Sequence, residues 1–150
     1  MADILLRIAY HFPNGSDFLH PITIDPRMNT TFYRMNLNTR NYETAGFIEW
    51  SAGWNARVTW GIETVSLRDC RKKKKEASKS RRFKAGDSEY KWKIAENERD
   101  LFCVDSWNRT IASWSQDTLT LRVASRAANI LDRLIVTCTL NLYMKQLGQW

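Results

Sequence analysis

One segment limits the architecture of this chain more than any other. Residues 127–147, AANILDRLIVTCTLNLYMKQL, are apolar on nearly every side of a helical projection, and such a helix must be buried in a large core or a bilayer. Its charge-free stretch, 134–144, holds 11 residues. At about 1.5 Å each they fall well short of the roughly 30 Å of bilayer hydrocarbon, so a core helix surrounded by strands remains. Asn129 and Asp132 have a capping-box-like spacing at its start and Gly148 follows its end. The β-branched centre, 135–139, would equally suit a strand, and propensity alone favours the helix only slightly.

The rest of the chain reads as strands. Runs rich in β-branched and aromatic residues recur at 4–10, 21–24, 30–35, 47–50, 57–60, 63–67, 82–85, 89–94, 100–104, 110–114 and 118–123, the spacing expected of a sheet or barrel. In Tyr90, Lys91, Trp92, Lys93 and Ile94 the apolar side chains fall on one face and both lysines on the other; Leu119, Leu121 and Val123 alternate with Thr120 and Arg122. Each such strand has one wet face. Gly86, Asp87 and Ser88 suit a tight hairpin, because glycine and aspartate tolerate the backbone angles of turns. With 150 residues, no internal repeat and no Gly/Ser- or Pro-rich linker, residues 1–150 read as one domain.

Net charge is +7, yet ten basic and two acidic residues lie between Arg68 and Lys84, leaving 13 basic and 14 acidic residues elsewhere, a net of −1. The basic character belongs to one segment. Its centre, RKKKKEASKS, is too charged to enter a core, so 70–81 is expected to be a mobile loop. Cys70, Cys103 and Cys138 are odd in number and widely spaced, which fits free thiols in a reducing compartment. The opening MADILLRIAY lacks the anatomy of a signal peptide. The expected location is intracellular, cytoplasmic or nuclear, neither secreted nor transmembrane. The N-x-S/T matches at Asn14, Asn29 and Asn108 then read as chance or turn residues.

No catalytic motif stands out. His11 and His20 lie far along the chain from every cysteine, so no metal and no cofactor are expected. Cys103 and Cys138 read as small core residues. Cations beside Cys70 would lower its pKa and make it the most reactive thiol, though an accidental surface cysteine is the commoner case. Glu96, Glu98 and Asp100 could pair for acid/base work, but fit a solvated hairpin turn better. Trp50, Trp54, Trp60 and Trp107 fall at strand ends or in loops, where packing explains most tryptophans.

The succession FIEW (47–50), RRFKAGDSEYKWKI (81–94), IASW (111–114) and ILDRLIVTCTLNLYMKQ (130–146) resembles a fungal, basidiomycete domain-of-unknown-function family, family 6593. That family is similar to the tubby C-terminal-like superfamily, with the LURP-one-related proteins and the phospholipid scramblases. Over about residues 20–147, the resemblance implies a tubby-like antiparallel β-barrel enclosing one hydrophobic C-terminal α-helix. The stretch 33–47 is shorter than the family pattern, which implies an incomplete barrel with an exposed edge. Fold does not carry function with it.

The basic segment is the strongest functional signal. Arg71, Lys72, Lys73, Lys74, Lys75, Lys79, Arg81, Arg82 and Lys84 would gather positive potential on one side of a near-neutral body. The leading reading is a non-enzymatic binding or scaffold module whose loop contacts anionic lipid head groups, each Lys or Arg near the surface contributing about 1 kcal/mol. The resemblance to tubby proteins, which use a basic barrel face for phosphoinositides, points the same way. Phosphorylation of Ser78 and Ser80 would weaken that contact. Nuclear import or nucleic-acid binding ranks below it, and a solvated loop that merely aids solubility is the plain alternative. Two other readings are a small enzyme or ligand carrier with a barrel-mouth pocket near Tyr90, Glu96 and Glu98, and a homo-oligomer formed through an open barrel edge.

Overall fold

Strands with one wet face need a layer to cover the dry one, and here two sheets share a single helix as that layer. The computed structural model describes residues 3–7, 29–35, 39–49, 57–60, 62–146, 148 and 150. The larger sheet has six strands in the order β1 (Ile4–Arg7), β10 (Thr120–Val123), β9 (Thr110–Ser115), β8 (Leu101–Val104), β7 (Ser88–Ile94) and β6 (Arg81–Ala85). The smaller runs β2 (Asn29–Met35), β3 (Tyr42–Glu49), β4 (Arg57–Trp60) and β5 (Glu63–Ser66). Every pairing among the described residues is antiparallel. Helix α1 spans Leu131–Gln146.

The chemistry of α1 explains why it is apolar all round. Leu134, Ile135, Cys138 and Leu142 pack with Phe83, Trp92, Leu101, Trp114 and Leu121 of the six-stranded sheet. Val136, Leu140, Tyr143 and Met144 pack with Ile48, Val58 and Trp60 of the four-stranded sheet. Each set recurs at helical spacing on its own side, so over 134–144 two apolar stripes fuse into one charge-free cylinder. Its buried hydroxyls are satisfied locally: Thr137 donates to the Arg133 carbonyl (2.6 Å) and Thr139 to that of Ile135 (2.9 Å). Thr137 also accepts from the indole Nε1 of Trp92 (2.8 Å), tying the helix to β7. Against the other sheet the approach is closer still, because Gly46 of β3 faces Val136 and the Thr59 backbone with no room for a Cβ.

Several expectations change. The strands form two separate sheets rather than one closed barrel among the described residues, because the ladder stops where β5 runs into a 3-10 turn, Leu67–Cys70. The hairpin of β2 and β3 occupies the stretch expected to be short, with β3 starting at Tyr42 rather than Phe47 and a bulge at Phe32/Tyr33 absorbing the irregular spacing. The helix is preceded by a 3-10 segment, Ser125–Ile130, so Asn129 is not its cap, while Asp132 lies in its first turn, where a carboxylate favours the dipole. The Gly86–Asp87 hairpin forms as expected, with Ala85 opposite Ser88 and Gly86 at φ +61°. The expected strand at 21–24, together with His11, His20, Asn14, Trp50 and Trp54, lies outside the described residues.

Candidate polyanion-binding face

The basic segment is pinned rather than loose at its base. Lys72 and Arg82 exchange both backbone hydrogen bonds, at 2.9 and 2.8 Å, forming one rung of antiparallel ladder. Side chains alternate across such a rung, and that alternation sorts the cations. Arg71 and Arg81 turn inward, Lys72 and Arg82 outward. Arg71 Nε donates to Asn141 Oδ1 of α1 at 2.6 Å. Arg81 is only 3% exposed, and its Nη1 donates to the carbonyls of Ser78 (2.9 Å) and Ser80 (3.0 Å). Both guanidinium groups lie over the ring of Trp150, whose Nε1 donates to the Lys79 carbonyl at 2.7 Å. Burial, and then Arg81 beside it, push Arg71 down to about 10.

The outer side of the rung joins the outer face of the six-stranded sheet. Register places Arg82 opposite Lys91 and Lys84 opposite Glu89, and Lys93 follows Lys91 on the same face of β7. Lys74 comes close enough to matter. The Lys91 ammonium is held below its ordinary value first by partial burial, then by Lys93, Arg82 and Lys74, with Glu89 opposing. Arg82 pairs with Glu89, and Lys72 with Asp69 at 3.4 Å. Lys73, Lys75, Lys79 and Lys84 are exposed, while Ser78 and Ser80 are half-buried, with the Ser80 N–H donating to Ser78 Oγ. Of the nine basic residues singled out by sequence, the structure puts Lys72, Arg82 and Lys84 on this face with Lys74 close to Lys91, and turns Arg71 and Arg81 away from it. It adds Lys91 and Lys93, whose signal was the alternation in 90–94 once the 86–87 hairpin set them beside Arg82.

The other constellations are quieter. Cys70 is fully buried among Val58, Leu140 and Tyr143; burial pushes its thiol up to about 12, with Asp69 adding to the rise and Arg71 opposing it. The expected activation by neighbouring cations is therefore overturned, since desolvation outweighs them. Cys103 and Cys138 are buried and free. Residues 96–100 form the turn between β7 and β8, where Asp100 accepts from the Gln116 N–H and from Asn97 Nδ2, both at 3.0 Å. Among the described residues no group of three metal-ligating side chains converges, and no helix is long and apolar enough to cross a membrane. A cleft of about 410 Å³ opens beside the start of α1, walled by Trp60, Ile62, Glu63 and Arg133. Glu63 there is engaged by Arg133 and by Trp60 Nε1. Tyr90, Glu96 and Glu98 do not line it.

Comparison with known families matches residues 11–145 to one described as a family of unknown function (DUF6593). No curated protein and no solved structure matches the chain.

Proposed function

The chain belongs to the DUF6593 family, whose function is unknown, and from that premise we propose that it is a non-enzymatic binding module whose outer basic face contacts anionic lipid head groups. The observation that carries the reading is the β6–β7 register, which sets Arg82 beside Lys91 with Lys93 on the same face, Lys74 near enough to repel Lys91, and Glu89, paired to Arg82, as the opposing acid. Like charges crowded on a rigid sheet repel, and an anion placed among them relieves the repulsion. A sheet face is broad, as a membrane surface is. Sequence readout in duplex DNA instead needs an element narrow enough to enter a groove, which ranks the lipid above nucleic acid. Kinship with the tubby-like superfamily belongs to the same proposal, supported by the all-apolar helix held between antiparallel sheets. An intracellular, fungal setting also belongs to it, supported by three free buried thiols and by the resemblance of the motifs. Ser78 and Ser80, next to the face, are its proposed phosphorylation sites.

Co-sedimentation with vesicles containing phosphatidylserine or phosphoinositides, alongside neutral vesicles and duplex DNA at low and high salt, tests the reading. Replacing Lys74, Lys91 and Lys93 with Gln removes three surface cations at about 1 kcal/mol each, so vesicle affinity should fall about 100-fold. Equal binding by the triple variant, or equal binding to DNA and vesicles, refutes the lipid assignment.

A further inference from the structure

We infer that Arg71, Arg81 and Asn141 form a second, inward-facing site for a phosphate-class oxyanion, covered by Trp150 and independent of the outer face. Three observations meet there. Asn141 is fully buried in α1; its Oδ1 accepts from Arg71, while its Nδ2 has no partner. A buried donor left unmet is the exception in folded proteins and calls for an acceptor. Arg81 is also buried, and among the described residues it makes no ion pair with a carboxylate; its partners are two carbonyls and an indole face. A buried cation ordinarily has a counter-charge. Finally, Arg71 and Arg81 share one indole ring, with centres 5.9 and 5.5 Å from its centroid.

The donor set defines the ligand. The planar guanidinium fork of Arg81 and the unmet amide NH2 of Asn141 supply donors, and Arg71 adds positive charge beside them, which is the chemistry that recognises a tetrahedral oxyanion by charge-assisted hydrogen bonds. Trp150 sits over both guanidiniums and is itself held by the Lys79 carbonyl, so a bound anion would lie beneath an aromatic lid that also stabilises the cations. The bridge at Lys72 and Arg82 explains why one basic run can serve two sites: the pleat sends alternate residues to opposite sides. The ligand is either the free ion or the phosphate of a lipid head group, and the two share this chemistry.

Thermal unfolding of the whole chain in inorganic phosphate, against chloride at equal ionic strength, is the test. At about 100-fold over the dissociation constant a saturable rise in Tm of roughly 5–10 °C is expected. Asn141→Asp places a carboxylate against the Arg71 guanidinium, and should raise Tm without phosphate and abolish the phosphate-dependent rise; Arg81→Gln should abolish the rise as well. No rise in the native chain, or a lower Tm for Asn141→Asp, overturns the site. So does a rise that survives Asn141→Asp but disappears in Lys91→Gln/Lys93→Gln, because the anion then belongs to the outer face. Should Arg81→Gln fail to fold, Asn141→Asp decides alone. Phosphate protection lost on adding phosphoinositide vesicles assigns the head group, and protection unaffected by them assigns the free ion. Loss of vesicle binding in the outer-face variant, with phosphate protection intact, separates the two proposals.

Discussion

Replacing Gly46 with alanine should be among the most damaging small changes available to this fold. A Cβ at position 46 would sit 2.5 Å from the Thr59 carbonyl oxygen and 2.8 Å from Val136 Cγ2. Neither neighbour yields easily. Thr59 is part of β4, paired on one side to β3 and on the other to β5, and Val136 is a buried β-branched residue with no exposure at all. Relief must come from moving α1 away from the smaller sheet, which opens the cluster around Ile48, Val58 and Leu140. Overpacking of a single methyl typically costs about 1–3 kcal/mol, and with backbone on one side of the clash the upper part of that range, about 2–3 kcal/mol, is expected. For a chain of this length the loss corresponds to a fall in Tm of about 5–10 °C. Urea unfolding followed by tryptophan fluorescence measures it, with an unchanged m-value if the denatured state is unaffected. A second substitution sharpens the test, since Val136→Ala removes one of the two clashes and leaves the other. The double variant should therefore be more stable than the sum of the singles requires. Additivity within about 0.5 kcal/mol, or a Gly46→Ala loss of less than that, would refute the close approach of helix and strand.

The remaining predictions are smaller. Trp92→Phe removes the indole bond to Thr137 while keeping most of the packing, and should destabilise by about 1 kcal/mol in the same unfolding assay. Cys70, Cys103 and Cys138 should resist a thiol reagent at pH 8 in the folded protein and react together only in denaturant, because burial raises all three thiols; rapid labelling of Cys70 would contradict its burial. For Asp105, burial opposes the charge, but the N–H groups of Arg109 and Trp107 and the Arg109 guanidinium outweigh it and hold the carboxyl below its ordinary value. A depressed carboxyl contributes stability that is present above its unfolded pKa and lost as pH falls through the lower folded one. Asp105→Asn should accordingly lose stability at pH 7 and show a flatter acid limb than the parent in pH-dependent unfolding.

Local features of the sequence decided the elements. The all-round apolar character of 127–147, the alternation of 90–94 and the glycine of the 86–87 turn each act over a short stretch of chain, so they can be read without knowing what lies opposite. The start of β3 could not be read this way. Tyr42 to Gly46 carries no clean alternation, and it becomes strand because β2 supplies the ladder and a bulge at Phe32/Tyr33 restores register. The fate of Cys70 was equally hidden, since its neighbours in sequence are charged while its neighbours in space are Val58, Leu140 and Tyr143. Proximity along the chain predicted an activated thiol, and desolvation in the core produced the reverse.

The basic run shows the division most clearly. The order of residues along the chain established that positive charge is concentrated in one segment and that the charge-free stretch 134–144 must be buried, the latter because of the solvation of side chains irrespective of their partners. Which cations face outward, and that Lys91 and Lys93 join them, depended on one rung of ladder between Lys72 and Arg82 and on the β6–β7 register. Those are pairings between residues distant in sequence, chosen by the free energy of the whole assembly of sheets around α1, and only the tertiary structure decided them.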